Sequence, residues 1–185
     1  MTASTRNLFA LLCMLILAAC SPPANRADQR AFEPIVAAQT LIDRIEALEI
    51  DGLPDDAQMQ ALAPLLAPGL RESFETARAW QRGEIERMQR EGSEDKPPFV
   101  EGDLFSSLFE GAQSSRVLSV AGDDAHSVAQ IERSYGAGTD RVVWRDRAIL
   151  HRAGDGWLLV DIEYGGDWAF QAGSGSLAQT LKWRD

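Results

Sequence analysis

The stretch Val142-Val-Trp-Arg-Asp-Arg-Ala-Ile-Leu-His-Arg-Ala-Gly-Asp-Gly-Trp-Leu-Leu-Val-Asp-Ile-Glu-Tyr-Gly-Gly-Asp-Trp168 decides how this chain folds. Two runs rich in β-branched and aromatic residues flank Gly154-Asp155-Gly156, and a break of this kind between such runs is a hairpin signal. In the first run Trp144, Asp146, Ala148 and Leu150 share one parity; in the second Leu158, Val160, Ile162 and Tyr164 do. Side chains alternate faces along a strand, so the register decides which set is buried. A three-residue loop with Gly156 left-handed sets Leu150 opposite Val160, Ala148 opposite Ile162 and Arg147 opposite Glu163. A two-residue Asp155-Gly156 turn would instead put Asp146, Asp161 and Glu163 on one face. The first register is expected, because it leaves one apolar face and one face of paired charges.

Upstream of this hairpin the chain reads as helices. Ile35, Ala38, Leu41, Ile42, Ile45 and Leu48 recur at helical spacing behind Pro34, predicting a helix from Pro34 to about Leu48. A shorter helix is predicted over Asp56 to Leu66. A third runs from Pro68 toward Arg90, with the stripe Leu70, Phe74, Ala77, Trp80, Ile85 and Met88, and Gly83 as a possible bend. After the acidic loop Glu91 to Pro98, Asp103 is placed to cap a short helix burying Leu104, Phe105, Leu108 and Phe109. Arg116–Val120 and Ser127–Tyr135 then read as strands around the polar turn Gly122-Asp123-Asp124.

Downstream, Asp167-Trp168-Ala169-Phe170 reads as an extended tail packing two aromatics. A last helix is expected from Ser176, with Leu177 and Leu181 one turn apart and Lys182 and Arg184 near its negative end. Helices first and antiparallel strands afterwards imply an α+β domain: N-terminal helices packed on a curved antiparallel sheet, with a short C-terminal helix.

The first residues carry a different message. Arg6 precedes an apolar run from Leu8 to Leu17, then Ala18-Ala19-Cys20-Ser21. That is a secretory signal, too short to span a bilayer. Its ending Leu17-Ala18-Ala19-Cys20 resembles a bacterial lipobox, which implies cleavage before Cys20 and lipid on that residue. The expected organisation is a signal peptide over 1–19, a lipidated tether over 20–31 and one domain over 32–185. The expected location is the bacterial envelope, lipid-anchored and facing the periplasm. By analogy with proteobacterial lipoproteins, Ser21 after the Cys points to the outer membrane.

Only two cysteines are present, Cys13 inside the signal and Cys20 at the lipid site. The processed domain is therefore expected to have no disulfide, thiol nucleophile or Cys metal site. The formal net charge is −10, with no basic cluster. That balance argues against nucleic acid as a partner and against an anionic lipid surface.

Several segments together resemble the domain-of-unknown-function 3828 family of proteobacterial lipoproteins. They are Gly102-Asp-Leu-Phe-Ser-Ser-Leu-Phe-Glu-Gly111, Trp144, Gly156-Trp157, Asp161-Ile-Glu-Tyr164, Trp168 and the closing Leu-containing helix. The resemblance covers most of Ile35 to Leu181 and implies a nuclear-transport-factor-2-like, cystatin-like cone. It rests on packing residues and implies no particular activity.

Chemistry has few places to sit. His126 and His151 are the only histidines, distant in sequence and without a partner motif, so no metal site or cofactor is expected. Ser93-Glu94-Asp95-Lys96 fits a Ser-x-x-Lys pattern, but its companion motifs are missing. Asp146 is the most informative polar residue, since it falls between Trp144 and Ala148 on the apolar parity, where an ionised carboxylate is costly unless hydrogen-bonded. The candidate pocket is Trp144, Asp146, Asp161 and Glu163. Asp161 and Glu163 are otherwise expected on the outer face, answering Arg145 and Arg147. The leading expectation is a non-catalytic module binding an envelope protein or a small apolar ligand. The alternatives are a small cone-fold isomerase, cyclase or hydrolase using Asp146 with Asp161, Glu163 or His151, and a periplasmic immunity-type protein.

Overall fold

The structure is a computed structural model describing residues 26–123, 125–154, 156–168 and 175–182, with side-chain surroundings from Pro34 onward. The signal sequence, Cys20, Asp124, Asp155, the Ala169-Phe170 pair and Arg184 lie outside the described residues.

Four strands, β1 (Ser114–Gly122), β2 (His126–Tyr135), β3 (Val142–Ala153) and β4 (Gly156–Glu163), form one curved antiparallel sheet in the order β1-β2-β3-β4. Each strand pairs with the next along the chain. Helices α1 (Arg26–Glu46), α2 (Asp56–Leu62) and α3 (Pro68–Glu91) precede it, and α4 (Leu177–Thr180) follows. α1 packs on β1 and β4, and α3 packs on β4, so the helices share one face of the sheet. The expected α+β layering is present.

The helix ends obey their local chemistry. Asp55 and Gln58 form a reciprocal capping box at the start of α2, satisfying two backbone donors. α3 starts with Pro68 in its first turn and stops at Gly92 (φ 64°), whose left-handed backbone lets Ser93 N–H donate to Met88 O. It continues through Gly83, and Leu70, Phe74, Ala77 and Met88 are buried while Trp80 and Ile85 are half-buried. α2 stops earlier than expected, at Leu62, because Pro64 shifts the chain into a 3-10 turn over Ala63–Leu65. α1 starts earlier, at Arg26, inside the segment read as tether, and carries Pro34 in its interior.

Between α3 and β1 the expected helix is absent. Residues 104–110 are turns, although Leu104, Phe105 and Leu108 are buried as foreseen. The backbone donors go elsewhere. Phe105 N–H donates to the Asp103 carboxylate at 2.7 Å, Leu108 N–H to Ser106 Oγ at 3.2 Å, and Ser107 N–H to Asp146. Short polar side chains thus compete with the helix for its own N–H groups.

The central hairpin follows two registers. Arg147 faces Glu163 and Ala148 faces Ile162, as expected, but Leu150 faces Leu159 and Ala153 faces Gly156. A bulge at Ile149/Leu150 leaves Val160 as the extra residue. Pairing of Ala153 with Gly156 rules out the three-residue loop, and Gly154 (φ 60°), not Gly156, is left-handed. On β3 the expected parity holds, with Trp144, Asp146, Ala148 and Leu150 all buried. On β4 the bulge changes it: Leu159 and Ile162 are buried, while Leu158 and Val160 are half-buried on the other side.

Both sheet edges are occupied in part. On β4, Ala67 N–H donates to Leu159 O and Tyr164 N–H to Gly175 O. On β1, Gln39 of α1 accepts from Val117 N–H at 2.7 Å and donates to Ser115 O at 3.2 Å.

Candidate functional site

Asp146 is fully buried, and the reason begins with strand parity. It stands opposite Ile131 of β2, and Arg133, two residues further along β2, shares its face and approaches it diagonally. Arg133 Nε lies 3.0 Å from Asp146 Oδ2, with the two side chains 1% and 0% exposed. The Nε–H makes no hydrogen bond, so that contact acts through charge. The remaining guanidinium donors are directed. Nη1 donates to Glu46 Oε1 and Ser115 Oγ, both at 2.9 Å, and Nη2 donates to Phe105 O at 2.8 Å.

The Asp146 carboxylate takes hydrogen bonds from three residues, Trp144 on its own strand, Ser107 and Gly165. Oδ2 accepts from Trp144 Nε1 at 3.1 Å and from Ser107 N–H at 3.2 Å. Oδ1 accepts from Ser107 Oγ–H and from Gly165 N–H at 3.0 Å. Ser107 Oγ in turn accepts from Gly166 N–H at 3.1 Å. Gly165 has to be glycine, because a Cβ there would collide with Arg145 O. A carboxylate offers about four acceptor sites. Here four hydrogen bonds fill them, and Arg133 supplies the counter-charge. Trp168, packed edge-on against Trp144 with ring centroids 5.0 Å apart, lies over the same end of the sheet.

Two more ionisable groups belong to this cluster. Burial pushes the Asp103 carboxyl up to about 6, against the pull of Arg133 and the Phe105 N–H bond. Tyr164 donates its hydroxyl to Leu104 O at 2.7 Å, and burial pushes its phenol upward. The cluster of Asp146, Arg133, Glu46, Asp103, Ser107 and Tyr164 ties the 104–108 loop, the 164–166 segment, α1 and three strands into one polar knot.

The other sequence candidates do not join it. Glu163 lies on the outer face in an ion pair with Arg147 at 2.5 Å. Asp161 keeps the expected parity beside it, opposite Ile149, but it answers no arginine: its Oδ1 accepts from Ala178 N–H of α4 at 2.8 Å. Arg145 is answered instead by Glu132, which also pairs with Arg116 at 2.7 Å. His151 lies on the outer face directly across from His126. Ser93 donates to Asp95, and Lys96 pairs with Glu101, so that pair of residues is not assembled either. A recess of about 320 Å³ lies between α3 and α4, lined by Gly69, Glu72, Ser73, Thr76, Leu181 and Lys182, apart from the Asp146 cluster.

Arg133, Ser107 and Asp103 were missing from the sequence reading of this site. A buried carboxylate calls for a cation, and Arg133 shares the parity of Ala129 and Ile131, so its inward direction was readable. Ser107 lies 39 residues from Asp146 in an irregular loop, where no periodicity could place it. Comparison with known proteins adds no relative: no family model, curated protein or solved structure matches this chain.

Proposed function

We propose that this chain is an envelope lipoprotein, anchored through lipid on Cys20 and facing the periplasm from the outer membrane. Its domain acts as a non-catalytic binding or accessory module for an envelope protein or a small apolar ligand. The four-stranded sheet with helices on one face suits the nuclear-transport-factor-2-like cone, and we carry the resemblance to the 3828 family forward on that basis. The anchor reading rests on Leu17-Ala18-Ala19-Cys20 closing a short signal. Each buried methylene contributes about 0.8 kcal/mol, so two or more acyl chains hold a domain at the membrane stably.

The observation that carries the non-catalytic reading is the state of Asp146. Acid/base work at a buried carboxylate needs a lone pair or proton that substrate can reach. All acceptor sites of Asp146 are taken, and Asp161, Glu163 and His151 point to three other places. The carboxylate reads as the centre of a packing knot that holds the loop and sheet in one shape.

The test is expression of the full chain and of Cys20→Ser in a Gram-negative host. The wild type is expected in the outer-membrane fraction, with its amino-terminal peptide beginning at an acylated Cys20. The variant is expected to lose both properties. Mass spectrometry finding an unmodified terminus that still begins at Met1 overturns the anchor. Crosslinked capture from detergent-solubilised envelope then addresses the partner, with the wild type compared against a variant altered on the outer sheet face.

A further inference from the structure

The chain's two histidines are brought into contact on the sheet face that the helices leave uncovered. His126 opens β2 and His151 lies near the end of β3, and the two are cross-strand partners. Their buried neighbours Ser127, Ala129, Trp144, Asp146, Ala148 and Leu150 occupy the opposite parity, which puts both imidazoles outside. Arg152 N–H donates to Ala125 O, so the adjacent 125/152 pair is the hydrogen-bonded one. His126 and His151 therefore hold the non-hydrogen-bonded position, where opposed side chains come closest. Their ring centroids are 5.2 Å apart, with the planes tilted by 47°.

From this geometry we infer a binding site for a late first-row divalent metal ion, Cu2+ or Zn2+, with His126 and His151 as its two protein ligands. Two imidazoles on one tetrahedral metal, each with a metal–nitrogen distance of about 2.0–2.1 Å, have ring centres about 5 Å apart. The observed separation already matches, so binding needs ring rotation and no backbone movement. Among the described residues neither imidazole makes a hydrogen bond that metal would have to break. Asp123 in the β1–β2 turn accepts from the backbone N–H groups of Ala125 and His126, which holds its carboxylate at this end of the sheet. Its negative charge lies beside the pair and favours a cation there.

Among the described residues no group of three or more His, Cys, Asp or Glu side chains could hold a metal. The site is thus a two-histidine platform, its remaining coordination positions filled by water and open to an incoming ligand. Imidazole suits copper and zinc, and the ordinary order of divalent affinities puts Cu2+ ahead of Zn2+. The inference is independent of the lipid anchor, since it rests on β2 and β3 alone.

The test uses the full chain purified in detergent with an affinity tag free of histidine, titrated with Cu2+ or Zn2+ alone. One equivalent should bind, with a dissociation constant on the order of 10 μM for Cu2+ and weaker for Zn2+. The Cu2+ resonance spectrum should show two imidazole nitrogens. His126→Ala and His151→Ala should each weaken binding by more than about tenfold and leave one nitrogen in the spectrum. His126→Asn and His151→Asn, which keep a polar surface side chain, should do the same, and circular dichroism verifies that each variant is folded. Wild-type protein that binds neither metal at 1 mM overturns the site, as does binding that survives both single replacements.

Discussion

Arg133 and Asp146 sit diagonally across β2 and β3 with Nε 3.0 Å from Oδ2, inside a core where the two side chains are 1% and 0% exposed. Forming such a pair costs both groups their water, and the mutual attraction offsets that only when the remaining polar atoms are satisfied. Here they nearly all are. Asp146 fills its acceptor sites, and Arg133 reaches Glu46, Ser115 and Phe105 O. The pair contributes less to net stability than to holding one arrangement of β2, β3 and the 104–108 loop.

Removing one member is therefore far worse than removing both. Asp146→Ala leaves a buried guanidinium with the part-exposed Glu46 as its remaining ion-pair partner, and should cost about 3–5 kcal/mol. Arg133→Met strands the carboxylate and should cost a similar amount. The double variant Arg133→Met/Asp146→Leu should lose clearly less than the sum of the two. Urea melts of the four proteins measure this cycle, and strict additivity would show that the two groups are uncoupled.

Asp103 supplies a pH dependence with a definite sign. Its folded carboxyl is raised to about 6, above the ordinary carboxylate value, so the folded chain holds that proton more tightly than the unfolded chain does. Stability from this group is complete below about pH 4 and is lost as pH rises toward 6. Asp103 is half-buried and partly reached by water, so the loss is about 1–2 kcal/mol. Asp103→Asn keeps an acceptor for Phe105 N–H and should flatten that part of the profile. Denaturant midpoints between pH 4 and 7, wild type against variant, decide it. A difference that grows with acid would reverse the sign.

The hairpin tip separates two registers by a pair of glycine replacements. Gly154 is left-handed with open space where a Cβ would stand, so Gly154→Ala meets backbone strain alone and should cost about 1–2 kcal/mol. Gly156 has no positive φ, and a Cβ there finds nothing nearer than Ala153 O at 4.0 Å, so Gly156→Ala should be close to neutral. A three-residue loop demands the opposite ranking. Thermal melts of the two variants read it directly.

Parity on β3 was legible because a strand's period of two needs no partner to be read. Trp144, Asp146, Ala148 and Leu150 announce a buried face, and all four are in it. β4 was legible only up to its bulge. Val160 is β-branched and apolar like its neighbours, and nothing in its identity marks it as the unpaired residue that moves Leu159 inward. The Asp146 knot was half-visible: its cost was readable from the residue, whereas the loop that meets it, with Ser107, has no periodicity. The His126–His151 contact had a signal that was missed. The two residues are equidistant from the junction of Gly138 and Thr139, where the chain reverses between two expected strands, and an antiparallel pair centred there must bring them together.

Gln39 is the last residue with a consequence that its helix alone would not suggest. β1 is an edge strand, and an edge offers unpaired N–H and C=O groups to any passing strand. Gln39 occupies part of that edge from α1, accepting from Val117 N–H at 2.7 Å and donating to Ser115 O at 3.2 Å, as a neighbouring strand's backbone would. Gln39→Ala removes both bonds and should cost about 1–2 kcal/mol in urea melts. It should also free the edge, so light scattering should report self-association at concentrations where the wild type stays monodisperse. Gln39→Glu retains the acceptor for Val117 N–H, loses the donor to Ser115 O and faces Asp43, whose carboxylate the wild-type amide binds at 2.7 Å. Its stability should fall between the other two, while its added charge keeps the edge from pairing. If alanine at this position left both stability and association unchanged, the helix packing of α1 on β1 would be protecting the edge without help from the side-chain amide.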